Sequence, residues 1–278
     1  LPRERSMRNE EVILDNDEGL SPAIYRETGG ATTWKHAGVG FAHLHDVYPS
    51  GHNPFTDGTA RMIATTADST KIATATWGGT IPTSGIYTLY ISYATLKNSV
   101  RDAHYTIHAS GGDHTFTINQ KMGGSMWIAL GEFYFEAGEH ECLVTLSNYS
   151  AEQGVVSADA IKIGGGMGNI GRSRNATDTL TRANTSGYPR FTEGARYWLQ
   201  WSGFPTSVYA PKNGTDDYKD DYMSRAHWVN YLMGGSEHLA DSIGKRIPID
   251  LTLAMHSDAG VRDNDDVVGT LGIYCTRD

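Results

Sequence analysis

Apolar and polar positions alternate with a period of two where Tyr87, Leu89, Ile91 and Tyr93 are interleaved with Thr88, Tyr90 and Ser92. Successive side chains of a strand point to opposite faces, so this run predicts a strand with one apolar face. Strand-like runs recur at 72–77, 86–93, 104–108, 115–119, 126–130, 132–135, 142–147 and 158–163. Between them stand Ser84-Gly85, Gly111-Gly112, Gly123-Gly124 and Ala137-Gly138, each able to supply the backbone freedom of a tight turn. Many short strands without an intervening helical period predict a β-sandwich over residues 11–166.

A glycine cluster, Gly164-Gly165-Gly166 with Gly168, then predicts a boundary. Beyond it Tyr218, Tyr222, Ala226, Val229 and Met233 recur at steps of three and four, which predicts an amphipathic helix. Thr215 or Asp216 can cap its start, and Gly234-Gly235 can stop it. A shorter helix is predicted over 193–201, and apolar strands over 249–256 and 267–275. Helices alternating with strands predict an α/β layer over 167–278, a different architecture from the sandwich. The expected organisation is therefore a short segment 1–10, a β-sandwich 11–166 and an incomplete α/β domain 167–278.

Charge narrows the partners. Lys plus Arg number 23 against 32 Asp plus Glu, a net charge of −9, and no basic run stands out. That argues against a nucleic-acid partner. No apolar stretch is long enough to predict a transmembrane segment. Abundant Gly, Tyr and Trp with only 20% charged residues suit an extracytoplasmic β-rich protein. Cys142 and Cys275 lie far apart in the chain and read as two free thiols. The sequence opens at Leu1 without a signal peptide, so we expect a fragment of a larger parent, with part of that parent missing.

Candidate chemistry centres on His256, which ends an apolar run and precedes Ser257-Asp258-Ala259. Ligands of open α/β sheets gather at the carboxyl ends of strands, where a neutral imidazole can hold zinc and Asp258 can orient it. From spacing alone, a satisfied and partly buried histidine is the commoner reading. Arg225 and Asn230 lie five positions apart on the predicted helix and read as surface or packing residues. His43, His45 and His52 can be placed as metal ligands or as a solvated loop. Asp15, Asp17 and Glu18 beside Asn16 only hint at a calcium loop, because the EF-hand spacing is missing. Tyr25, Trp34, Phe41, Tyr48 and Trp127 are candidate sugar-stacking rings, provided they are exposed. Asn148, Asn175, Asn184 and Asn213 open Asn-x-Ser/Thr sequons.

The runs Glu11-Val-Ile-Leu-Asp-Asn-Asp17, Gly85-Ile-Tyr-Thr-Leu-Tyr-Ile-Ser-Tyr93, Ala103-His-Tyr-Thr-Ile-His108, Gly123-Gly-Ser-Met-Trp127 and Ala158-Asp-Ala-Ile-Lys-Ile163 together resemble the golvesin C-terminal-like domain. That domain also occurs as a carbohydrate-binding-like module in proteins labelled xanthan lyase. The resemblance implies a β-sandwich with a glycan-binding or accessory role. The flanks are similar to a second family. Leu1-Pro-Arg-Glu-Arg5, the Arg225…Asn230 spacing and Asp250-Leu-Thr-Leu-Ala-Met-His-Ser-Asp-Ala259 resemble zinc-dependent N-acetylmuramoyl-L-alanine amidases. By that resemblance His256 is a zinc ligand, and the sandwich is an insertion in an amidase-like fold. The family's other zinc ligands and its catalytic Glu lie outside this chain.

Two functions follow as expectations. The first is a fragment of an extracytoplasmic zinc-dependent cell-wall amidase, itself inactive, with peptidoglycan or another cell-wall glycan as partner. The alternative is a non-catalytic carbohydrate-binding or accessory module of a polysaccharide-degrading protein.

Overall fold

The computed structural model describes residues 8–17, 19–20, 23–30, 32–172, 185–235 and 243–253. The chain divides into two units, Leu1–Pro248 and Ile249–Asp278.

Three antiparallel sheets build the first unit. One joins β1 (Val12–Leu14), β12 (Ile161–Ile163), β6 (Gly85–Ile91) and β9 (Ile128–Phe135) in that order. A second joins β2 (Ile24–Glu27), β5 (Thr74–Ile81), β10 (Gly138–Ser147), β7 (Ala103–Ala109) and β8 (Gly112–Ile118). A third holds β11 (Val155–Ala158), β4 (Gly58–Ala64) and β3 (Lys35–Gly40). The first two sheets supply Leu14, Leu89 and Ile161, and Trp77, Tyr105 and Val144, to one continuous core. The predicted sandwich is therefore present.

Two predicted boundaries shift for local reasons. The runs at 126–130 and 132–135 merge into β9, because Leu89 faces Gly131 while Tyr90 faces Ala129 and Leu130 is left as a bulge. The run at 158–163 instead splits into β11 and β12, which lie in different sheets. Asp159 sits at the crossing. Its carboxylate accepts the Phe41 N–H at 3.0 Å and the Ser92 hydroxyl at 2.7 Å, while its carbonyl accepts the Trp77 indole N–H at 3.1 Å.

β6 is not the one-faced strand its alternation predicts. Tyr87, Leu89 and Ile91 enter the sandwich core, but Thr88 and Tyr90 on the other face are buried as well. Tyr90 packs with Phe41, Tyr48, Phe55 and Trp127 in a second core, which Ile170, Tyr197 and Trp201 complete. Tyr197 and Trp201 come from helix α1 (Ala195–Trp201). The glycine cluster at 164–168 is thus a turn inside the first unit, and the chain after it covers the outer face of a sandwich sheet.

A third small core gathers Leu199, Phe204 and Val208 under Trp228, Tyr231 and Leu232. Here α1 meets α2 (Thr206–Tyr209) and α3 (Asp217–Met233). Asp216 caps α3 by accepting the Lys219 N–H at 3.0 Å, and Gly234 ends it in the left-handed region at φ 84°. The predicted helix is there, but its predicted buried stripe faces solvent: Tyr218 is 78% exposed and Tyr222 47%. The inner face instead carries Asp220 and Ser224. Asp220 accepts N–H groups from Lys212 and Gly214 and faces the buried Arg196 guanidinium at 3.4 Å. An isolated buried guanidinium is costly, so a carboxylate occupies the position that an apolar side chain was expected to fill.

Of the second unit, residues 249–253 are described. They form neither helix nor strand, and Leu251 and Leu253 are exposed. The strand predicted at 267–275, and with it the α/β character of that region, lies outside the described residues.

Candidate functional site

A cleft of about 520 Å³ opens where two loops of the sandwich meet the segment that follows α3. Its walls are residues 95–97, residues 123–125 and residues 244–246, joined by Lys121 and Tyr231. The sandwich wall is tightly tied. The Tyr93 hydroxyl donates to the Met122 carbonyl at 2.7 Å, the Gly124 N–H to Thr95 Oγ1 at 2.9 Å, and the Ser125 N–H to the Tyr93 carbonyl at 2.9 Å. A side chain at position 124 would come within 2.4 Å of the Thr95 backbone nitrogen, so only glycine fits there.

The opposite wall is held as firmly. The Lys245 N–H donates to the Tyr231 carbonyl at 2.9 Å, and the Ile247 N–H to that of Leu232 at 2.8 Å. Across the cleft floor the Gly123 N–H reaches the Lys245 carbonyl at 3.1 Å. The Lys245 ammonium in turn donates to the carbonyls of Gly124 and Ser125. Burial pushes its pKa down to about 8.

Backbone strain collects here. Among the described residues Ser125, Asn213 and Arg246 are non-glycines with positive φ, and two of the three line the cleft, at 56° and 60°. Such residues cost on the order of 1–3 kcal/mol and persist where the surroundings over-determine them, often at ligand sites. Lys97, Lys121, Lys245 and Arg246 bring positive charge to the walls, and among the described residues no carboxylate lines the cleft. Lys121 is paired with Glu152 at 3.0 Å.

The sequence-predicted residues lie elsewhere. Trp34, Phe41, Tyr48 and Trp127 are buried, so they are corrected from sugar-stacking rings to core side chains. Phe41 packs against Trp127 at 4.7 Å and Phe55 at 5.0 Å between ring centroids, and the Trp34 indole donates to the Thr28 carbonyl. Phe41, Tyr48 and Trp127 are buried in the core that Tyr197 and Trp201 of α1 close over β6, and Trp34 in the core of the sandwich itself. Tyr25 is half-buried against Trp77, and its hydroxyl donates to Glu27 at 3.0 Å. Among the described residues the exposed large rings are Tyr134, Tyr149, Tyr188, Tyr218 and Tyr222.

Arg225 pairs with Asp221 one turn back on α3 at 3.0 Å, and the Asn230 carbonyl accepts the N–H groups of Gly234 and Gly235 at the helix end. His256 and Asp258 lie outside the described residues, as does Glu18. His43, His45 and His52 cluster around Tyr48, and His52 Nε2 meets Asp57 at 2.5 Å. Among the described residues no three His, Cys, Asp or Glu side chains form a metal-holding group. Asp15 Oδ1 accepts the Asp17 N–H at 2.9 Å, and Asp17 accepts the Thr59 N–H and hydroxyl, so this acidic run ties β1 to β4. On the sheet face outside the cleft, His108 bridges Asp113 at 2.8 Å and Thr145 at 2.9 Å as a polar cross-strand set.

Sequence reasoning missed the cleft because its walls come from stretches more than 100 residues apart. The signals that do mark it are Gly123-Gly124-Ser125 and the basic pair Lys245-Arg246 after a glycine.

Residues 53–165 match the Golvesin C-terminal domain. The match includes the sandwich wall of the cleft and stops short of the wall at 244–246. No curated protein matches the chain. A xanthan lyase of Paenibacillus is 26% identical over 56% of this chain and 13% of its own, with a TM-score of 0.40. A GH26-CBM35 β-(1,4)-mannanase of Podospora anserina is 18% identical over 56% of this chain and 28% of its own, with a TM-score of 0.32. The chain therefore spans only a small part of either protein.

Proposed function

We propose that the chain is a non-catalytic carbohydrate-binding module, acting outside the cytoplasm as an accessory part of a larger protein, with its glycan seated in the cleft between the sandwich loops and the segment after α3. The observation that carries this reading is the cleft's construction. Ser125 and Arg246 stand in left-handed backbone conformations beside hydrogen bonds that cross from Lys245 to residues 123–125. Small-ligand sites fall in the range of roughly 300–1,000 Å³, are largely pre-formed and place a few polar groups around a concave surface. The cleft's volume lies in that range, and its side chains offer hydrogen-bond donors, cations and one tyrosine ring.

The test is retention of the full chain on a panel of soluble polysaccharides in native gels, together with pull-down on insoluble peptidoglycan. Leu96→Trp, which fills the cleft from one wall, is expected to abolish whichever retention the native chain shows. Equal retention of that variant, or no retention on any glycan, overturns the reading.

A further inference from the structure

We infer that the glycan held in the cleft is a carboxylated saccharide, with Lys97 and Arg246 as its counter-ions. This rests on the module reading and names its substrate class.

The charge pattern supports it first. The chain as a whole carries −9, yet among the described residues four cations and no carboxylate line this one cleft. Two of the four are already engaged. Lys121 pairs with Glu152, which Arg101 also holds at 3.0 Å, and the Lys245 ammonium is bound to two carbonyls of the facing loop. Lys97 and Arg246 are exposed and make no ion pair among the described residues. Both line the cleft, one in the connection after β6 and the other after α3.

The backbone at Arg246 adds a second argument. At φ 60° the position suits glycine, and a branched or long side chain there is strained. Glycine already precedes it at 244, where a side chain would come within 1.9 Å of the Tyr231 carbonyl. An arginine kept at 246 despite that strain points to a use for the guanidinium itself. Its planar fork of N–H donors matches a carboxylate in bidentate geometry, which a lysine does not. Thr95 and Ser125 place hydroxyl groups on the same wall as Lys97, where sugar hydroxyls can bond to them.

The experiment compares affinity electrophoresis of the full chain through gels containing polygalacturonate, the same polymer with its carboxyl groups reduced, and dextran sulfate. Lys97→Gln and Arg246→Gly are run alongside. The second variant relieves backbone strain, so a loss of binding there is not a loss of fold, and melting curves confirm it for both. Polygalacturonate is expected to retard the native chain at least tenfold more strongly than the reduced polymer, with the retardation falling as salt rises. Each variant is expected to weaken it by about tenfold, the loss of one charge-assisted contact. Equal retardation by the carboxylated and reduced polymers overturns the carboxylate assignment and leaves the module reading standing. Retardation by dextran sulfate without retardation by polygalacturonate does the same. Unchanged retardation of both variants overturns the assignment of Lys97 and Arg246. No retardation by any polymer, together with none on the wider panel, overturns the module reading itself.

Discussion

The ammonium of Lys245 donates to the carbonyl oxygen of Ser125 at 3.1 Å, joining two stretches 120 residues apart. This contact clasps the segment after α3 onto the turn that precedes β9, and the cleft exists because the clasp holds its walls together. Burial favours the neutral amine and lowers the Lys245 pKa to about 8. Between about pH 8 and the ordinary lysine value near 10.4, the unfolded chain binds more protons than the folded one, so this group makes stability rise with pH. We expect Lys245→Met to flatten that rise in urea-denaturation midpoints measured from pH 7.5 to 10. A rise of equal slope in the variant counts against the clasp.

Asp15 and Asp159 give the opposite slope at lower pH. Burial raises both carboxyl groups, Asp159 to about 7, and each is pushed further by neighbouring carboxylates. Asp15 Oδ2 is buried without a hydrogen-bond partner. Raised folded-state pKa values mean that the fold binds more protons than the unfolded chain, so their stabilising effect is full below about pH 4 and is lost as pH rises through about 7. Asp15→Asn is expected to raise stability by about 1 kcal/mol at pH 7.5 and to leave it unchanged at pH 4. Destabilisation at pH 7.5 would show that the negative charge is needed.

Trp201 tests whether the chain beyond the glycine cluster belongs to the sandwich unit. Its ring is fully buried and meets Phe41 and Tyr48 at 6.1 and 5.1 Å between centroids. Trp201→Ala is expected to cost about 3–5 kcal/mol within a single unfolding transition. Two separate transitions in the native chain, with only one moved by the substitution, would mean that the region folds independently of the sandwich.

Asp220 anchors α3 through the buried Arg196. Asp220→Ala leaves that guanidinium, among the described residues, with the exposed Asp217 at 2.7 Å as its ion-pair partner, and is expected to cost about 3–5 kcal/mol. The double change Arg196→Met with Asp220→Leu is expected to recover much of the loss, because an apolar pair has no charge to desolvate. Chemical denaturation of the three chains gives the comparison, and a double variant no better than the single one contradicts it.

How much of this was legible in the sequence follows from what each pattern reports. Alternation at 85–93 and paired glycines located the sandwich strands, since strand period and turn chemistry are local. The same alternation could not say that Thr88 and Tyr90 face a second core, because what covers that face comes from Tyr197 and Trp201 far along the chain. Spacing likewise located α3 and its caps, yet its tyrosine stripe pointed outward, because Asp220 had to meet Arg196. Stacking rings were chosen by residue type, and burial overruled four of the five. The cleft left only a glycine pair and a Lys-Arg pair as traces. The amidase resemblance rests on residues 1–5, on the Arg225…Asn230 spacing and on residues 250–259, most of which lie outside the described residues.

The central claim is that the cleft holds a carboxylated glycan. Calorimetric titration of the full chain with a short oligogalacturonate, native and Leu96→Trp side by side, tests it most directly. The account predicts saturable, salt-sensitive binding to the native chain and none to the variant. Equal heats of binding in both chains, or binding that persists after the carboxyl groups of the oligosaccharide are reduced, would contradict it.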